Sequence, residues 1–174
     1  CSSLESVTIP DSVTSIGYEA FYKCTGLTSV TIPDSVTTIG EKAFYECTSL
    51  SSATLNEGLT SIGHFAFYNC SGMTSATIGN SVTSIGNSAF YGCSSLDNII
   101  IPNGVKSIGY DAFGMCTGLT SVSIASSVKE IGQFAFYGCK CLPEVVIPNS
   151  VTTMGKEVFS DCTGLKTGSL YLWF

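Results

Sequence analysis

A period of 23 residues runs through the whole chain, and no other feature narrows the possible folds so far. Cysteine recurs at Cys1, Cys24, Cys47, Cys70, Cys93, Cys116, Cys139 and Cys162, and phenylalanine keeps the same step at Phe21, Phe44, Phe67, Phe90, Phe113, Phe136 and Phe159. Glycine does so from Gly17 through Gly40 to Gly155. Self-similarity at a fixed period of roughly 20 to 50 residues marks a repeat architecture, in which each unit contacts only its neighbours. The coils run 4–26, 27–49, 50–72, 73–95, 96–118, 119–141 and 142–164, and one repeat domain is expected over residues 1–167. Residues 168–174 read as a tail or as the start of a truncated coil.

Within one coil the apolar set is Leu27, Val30, Ile32, Val36, Ile39, Ala43, Phe44 and Cys47. Val30 and Ile32 alternate with Ser29 and Thr31, the period-2 pattern of a half-buried strand. Pro33-Asp34-Ser35 then turns the chain, because proline fixes φ and donates nothing to a ladder while Asp bonds its own backbone. Val36 and Ile39 lie on a second short extended segment ending at Gly40. The Ile39, Ala43, Cys47 spacing has the i, i+4 step of one or two helical turns. One coil cannot bury its own apolar side, so neighbours stack at the strand spacing of about 4.8 Å.

The pattern L-x-x-V-x-I-P-x-S-V-x-x-I-G-x-x-A-F-x-x-C, intact from Leu27 to Cys47, resembles the BspA-like leucine-rich repeats. Met73 replaces the leucine, Asn56, Gly79 and Ala125 the proline, and Val158 the alanine. The resemblance implies a leucine-rich-repeat solenoid, mainly β with short helical turns in a right-handed β/α superhelix. It further implies a surface or secreted location and a role in adhesion to host matrix proteins, in coaggregation or in envelope structure. It brings no catalytic residues.

Composition excludes several partners. Thirteen acidic residues stand against seven lysines and no arginine, a net charge of −6. Neither a basic stripe nor a guanidinium fork is present for phosphate, so nucleic acid is not an expected partner. No apolar run approaches the roughly 20 residues of a membrane span.

Cysteines stacked at about 4.8 Å fall within the Cα range of a disulfide, about 4.4 to 6.8 Å. Each, however, follows the core phenylalanine by three residues, where a free thiol serves as a small hydrophobe, and the core-ladder reading is preferred to bridges or metal. Cys141 is expected to be the most exposed thiol. His64, the single histidine, shares its column with Tyr18, Glu41, Asn87, Tyr110, Gln133 and Lys156, a solvated position without an orienting partner for a base. The column Asp11, Asp34, Glu57, Asn80, Asn103, Ser126 and Asn149 reads as turn chemistry in preference to calcium ligation. Asn69-Cys70-Ser71 matches a glycosylation acceptor weakly. Neither a cofactor nor an enzymatic activity is expected.

The outward face of the first strand is the main candidate site. It carries Ser6 and Thr8, Ser29 and Thr31, Ser52 and Thr54, and Ser75 and Thr77. Threonine also simply suits strands. A regular hydroxyl ladder could order water as ice-binding solenoids do, but the series breaks at Ile100 and Val146. A second candidate surface is the column Tyr22, Tyr45, Tyr68, Tyr91 and Tyr137, since tyrosine is enriched at interfaces. The readings that follow are a module binding protein or glycan through the sheet face, or a structural protein whose coils associate end to end.

Overall fold

A computed structural model describes residues 1–166 and the backbone of Leu170–Leu172; residue 167 and, in the expected tail, 168, 169, 173 and 174 lie outside the described residues. The strands are, in chain order, β1 (Ser15–Ile16), β2 (Ser29–Ile32), β3 (Thr38–Ile39), β4 (Ser52–Leu55), β5 (Ser61–Ile62), β6 (Ser75–Ile78) and β7 (Ser84–Ile85). They continue as β8 (Asn98–Ile101), β9 (Ser107–Ile108), β10 (Ser121–Ile124), β11 (Glu130–Ile131), β12 (Val145–Ile147), β13 (Thr153–Met154) and β14 (Leu170–Leu172). Longer and shorter strands alternate along the chain, so each coil contributes to two sheets. The odd-numbered strands from β1 to β13 form one continuous parallel sheet, each pairing with its neighbour 23 residues away. The longer strands form the other side in three sections, β2-β4-β6, β8-β10 and β12-β14. Residues 6–9 of the first coil are not strand, although the sequence pattern there matches the later coils.

The pleat explains the alternation. In β2, Ser29 and Thr31 face water while Val30 and Ile32 are buried, and the parallel register places like on like: Thr31 opposite Thr54, and Thr54 opposite Thr77. Leu27, Val36, Ala43, Phe44 and Cys47 are fully buried, as are their counterparts through Leu142. The phenylalanines form a column through the core, Phe21 to Phe159, with centroids 5.0 to 5.5 Å apart and rings within 9° of parallel. Each such contact adds about 0.5–1.5 kcal/mol beyond area burial.

The third side corrects the sequence reading, for no helix occurs among the described residues. Residues 41–46 form overlapping turns instead. The N–H groups of Ala43, Tyr45 and Cys47 donate to carbonyls three residues back, Gly40, Lys42 and Phe44, whereas those of Lys42, Phe44 and Glu46 donate to His64, Ala66 and Tyr68 of the next coil. This ladder requires left-handed backbone at two columns per coil. The first holds Glu19, Lys42, Phe65, Ser88, Asp111, Phe134 and Glu157, all with φ between 52° and 60°. The second holds Lys23, Glu46, Asn69, Gly92, Met115, Gly138 and Asp161. Alternating handedness lets every second amide reach the adjacent coil, which a helix would have kept for itself.

The glycine column positions the coils on the second sheet. A Cβ at Gly63 would meet the Gly40 carbonyl carbon at 2.6 Å and its oxygen at 2.7 Å, both rigid backbone. Glycine is therefore required by close approach, not by φ. No helix of the described residues is long and apolar enough to cross a membrane.

Candidate functional site

The Ser-x-Thr face is a parallel ladder from β2 through β6, preceded by Ser6 and Thr8 on a segment that is not strand. Ser6, Thr8, Ser29, Thr31, Ser75 and Thr77 are exposed, and Ser52 and Thr54 are half-buried. Parallel pairing carries the hydroxyl columns from Ser29 to Ser75 and from Thr31 to Thr77. None of the eight hydroxyls has a hydrogen-bond partner among the described residues. The adjoining columns differ: Thr28 Oγ1 donates to the Glu5 carbonyl at 3.1 Å, Ser51 Oγ to Thr28 at 2.8 Å and Thr74 Oγ1 to Ser51 at 3.1 Å. Thr37, Thr60 and Thr83 do the same at the next corner. Corner hydroxyls thus stitch coil to coil, while those of the face keep their donors and acceptors for solvent or a ligand.

The face is also bounded. Its sheet section ends at β6, and the next section begins with Asn98 and Ile100, the latter 65% exposed. An open concavity of about 730 Å³ lies at its first half, lined by Ser6, Thr8, Ser29 and Thr31 and reaching Asp11 and Asp34.

Tyr22, Tyr45, Tyr68, Tyr91 and Tyr137 are half-buried rather than fully exposed. The first four stack at 5.1, 4.8 and 5.0 Å. Burial comes first among the causes that raise the Tyr45 and Tyr91 phenols above their usual range.

Seven of the nine cysteines lie within the core. Cys24 through Cys139 and Cys162 are buried free thiols, and Cys1 and Cys141 are exposed. Each inner thiol from Cys47 onward donates to the carbonyl of the phenylalanine 26 residues earlier: Cys70 to Phe44 at 3.1 Å, Cys93 to Phe67 at 3.3 Å, Cys116 to Phe90 at 3.2 Å. Burial pushes Cys47 and Cys116 up to about 12 and raises Cys70 and Cys93 as well. Cys139 is raised by the hydrogen bond it shares with Cys162, and then by burial.

His64 and the turn column serve coil stacking. Asn87 N–H donates to His64 Nδ1 at 2.8 Å, and Tyr110 N–H to Asn87 Oδ1 at 3.0 Å. Asn80 donates through its backbone N–H and its amide to the Glu57 carboxylate at 2.7 and 3.1 Å. Among the described residues no three His, Cys, Asp or Glu side chains converge as metal ligands.

One concave surface escaped the sequence reading. A groove of about 580 Å³ runs along the short strands, floored by Gly63, Gly86, Gly109, Gly132 and Gly155 and edged by His64 and Asn87. The glycine period was its only signal in the sequence.

Coils of 23 residues with a parallel strand ladder, a phenylalanine column and a cysteine column define a leucine-rich-repeat solenoid. The family model for the BspA type leucine-rich repeat region matches residues 1–94 and 83–171 in six copies, and the chain belongs to that family. Among solved structures, a leucine-rich cell surface protein of Faecalibacterium prausnitzii A2-165 is 39% identical with a TM-score of 0.85, over 94% of this chain and 46% of that one. A leucine-rich repeat protein of T. pallidum is 34% identical with a TM-score of 0.90, over 95% and 79%. One from Bacteroides ovatus ATCC 8483 is 27% identical with a TM-score of 0.70, over 94% and 62%. The chain therefore spans about half the length of the F. prausnitzii protein. No curated protein sequence matches it.

Proposed function

We propose that this solenoid is a non-catalytic recognition module of a bacterial cell surface or secretion product, which binds a protein or glycan through the Ser-x-Thr face. The observation that carries the reading is the contrast between hydroxyl columns: those at the corners are spent on backbone carbonyls, whereas the eight on the face are unspent and six of them, Ser29 to Ser75 and Thr31 to Thr77, are in register. Hydroxyls repeated every strand supply paired donors and acceptors at about 4.8 Å intervals, suited to sugar hydroxyls or an extended peptide. The surface location of the F. prausnitzii relative supports the placement.

The test is retention of the protein on arrays of purified host matrix proteins and of glycans, followed by Thr31→Lys and Ser75→Lys together. Both positions are outward on strands, so the fold should persist, and the retained ligand should be lost. Retention unchanged by the two lysines would end the reading.

A further inference from the structure

The tyrosine ladder has a missing rung. Tyr22, Tyr45, Tyr68 and Tyr91 stack with centroids 4.8 to 5.1 Å apart and planes within 13°. Glycine, Gly114, holds the next position, and the column resumes at Tyr137. Tyr91 and Tyr137 thus stand two coil spacings apart, about 10 Å at ~4.8 Å per coil, and a group inserted midway would lie about 5 Å from each, inside the ~6 Å reach of a cation–π contact. The gap opens as a cleft of about 350 Å³ lined by Tyr91, Tyr110, Asp111, Phe134, Tyr137 and Glu157. Phe134 braces it, meeting Tyr110 at 5.7 Å and 87° and Tyr137 at 5.8 Å and 75°.

A carboxylate sits at the foot of the gap. A Cβ on Gly114 would collide with Asp111 Oδ1 and come within 2.9 Å of Tyr91 Cδ2, so Asp111 fills the space where a tyrosine side chain would begin. Its Oδ1 is buried and has no hydrogen-bond partner. An unpaired buried carboxylate oxygen is costly, and burial raises the Asp111 carboxyl above its ordinary range. Glu157 adds a second acid, and no lysine lines the cleft.

Ring faces around an uncompensated carboxylate select a cation, and a gap one rung deep in a stack of planes selects a flat one. Guanidinium is flat, stacks on aromatic rings and forks onto carboxylate. The chain is acidic and has no arginine of its own, so the occupant comes from another molecule. We propose that this cleft takes an arginine side chain of a partner protein, its guanidinium against the Tyr91 and Tyr137 rings and paired with the Asp111 carboxylate. The cleft lies on the turn side of the coils and stands independently of the Ser-x-Thr face.

The experiment is a titration of the protein, with labelled tyrosine rings followed by NMR, against ethylguanidinium and its flat neutral isostere ethylurea. Ethylguanidinium is expected to bind about tenfold more tightly and to move the Tyr91 and Tyr137 resonances first. Asp111→Asn keeps the shape, and Asn tolerates the left-handed φ of 57°; it should abolish the preference for ethylguanidinium over ethylurea. Tyr137→Leu removes one ring face and should weaken ethylguanidinium while thermal melting shows the fold intact. Equal affinity for the two ligands in the native protein overturns the proposal, as does an undiminished preference in Asp111→Asn. n-Butylammonium binding as tightly as ethylguanidinium overturns the selection of a flat group.

Discussion

The cysteine column shows how one residue type takes two chemical roles by position alone. Seven thiols are sealed in the core and two, Cys1 and Cys141, are open to solvent. Alkylation requires the thiolate, and burial holds Cys47 and Cys116 protonated to about pH 12. Native protein treated with iodoacetamide at pH 8 should therefore gain two adducts by mass spectrometry, and unfolded protein should gain nine, one for each cysteine. A third adduct on the native protein would mean that a coil opens. A folded-state pKa raised above the unfolded thiol's, about 8.5, means that the folded chain holds protons the unfolded chain releases. The contribution of Cys47 and Cys116 to stability is then fully present below about pH 8.5 and declines toward pH 12, so denaturation midpoints should fall as pH rises through that window.

At the scale of the element, the strands and the turn at Pro33-Asp34-Ser35 were legible, and the turns after Gly40 were not. Ser29-Val30-Thr31-Ile32 announces its pleat, because a period of two has no competing explanation over four residues. Ile39, Ala43 and Cys47 share the core side of the coil and so mimic the i, i+4 step of a helix. What separates the two is the handedness at Lys42 and Glu46, with φ of 57° and 53°. A signal for it was present in composition: neither left-handed column contains Val, Ile or Thr in any coil, the residues that left-handed backbone tolerates least. Lys42→Val and Lys42→Gly test the point, since both remove the same ammonium. Urea denaturation should find the valine variant less stable than the glycine variant by about 1 kcal/mol or more, whereas a helical turn would reverse the order, glycine being the poorer helix former. The candidate face was legible as a sequence series, as was its break at Ile100, but the division of the sheet and the bonding of the corner hydroxyls were not. The spent corner hydroxyls depend on which carbonyls the neighbouring coil presents.

Over the whole molecule, stability should be a sum of coils and the contacts between adjacent coils, because nothing connects distant coils except the coils between them. The glycine column tests this with one substitution at two depths. A Cβ added to Gly17 in the first coil would meet no atom within 4 Å, whereas at Gly86 it would meet the Gly63 carbonyl carbon and the His64 nitrogen, both at 2.7 Å. Neither glycine has positive φ, so backbone handedness does not enter the comparison. Gly17→Ala should be nearly neutral. Gly86→Ala must push apart two backbones in the middle of the stack, an overpacking cost of about 1–3 kcal/mol. Weakening one central interface in a linear array also lowers the coupling between its halves, so urea unfolding of Gly86→Ala should broaden or divide into two steps, with the Gly17 variant remaining a single transition. A single sharp transition in both, shifted only in midpoint, would mean that the phenylalanine and cysteine columns couple the coils strongly enough to outweigh the break in the second sheet.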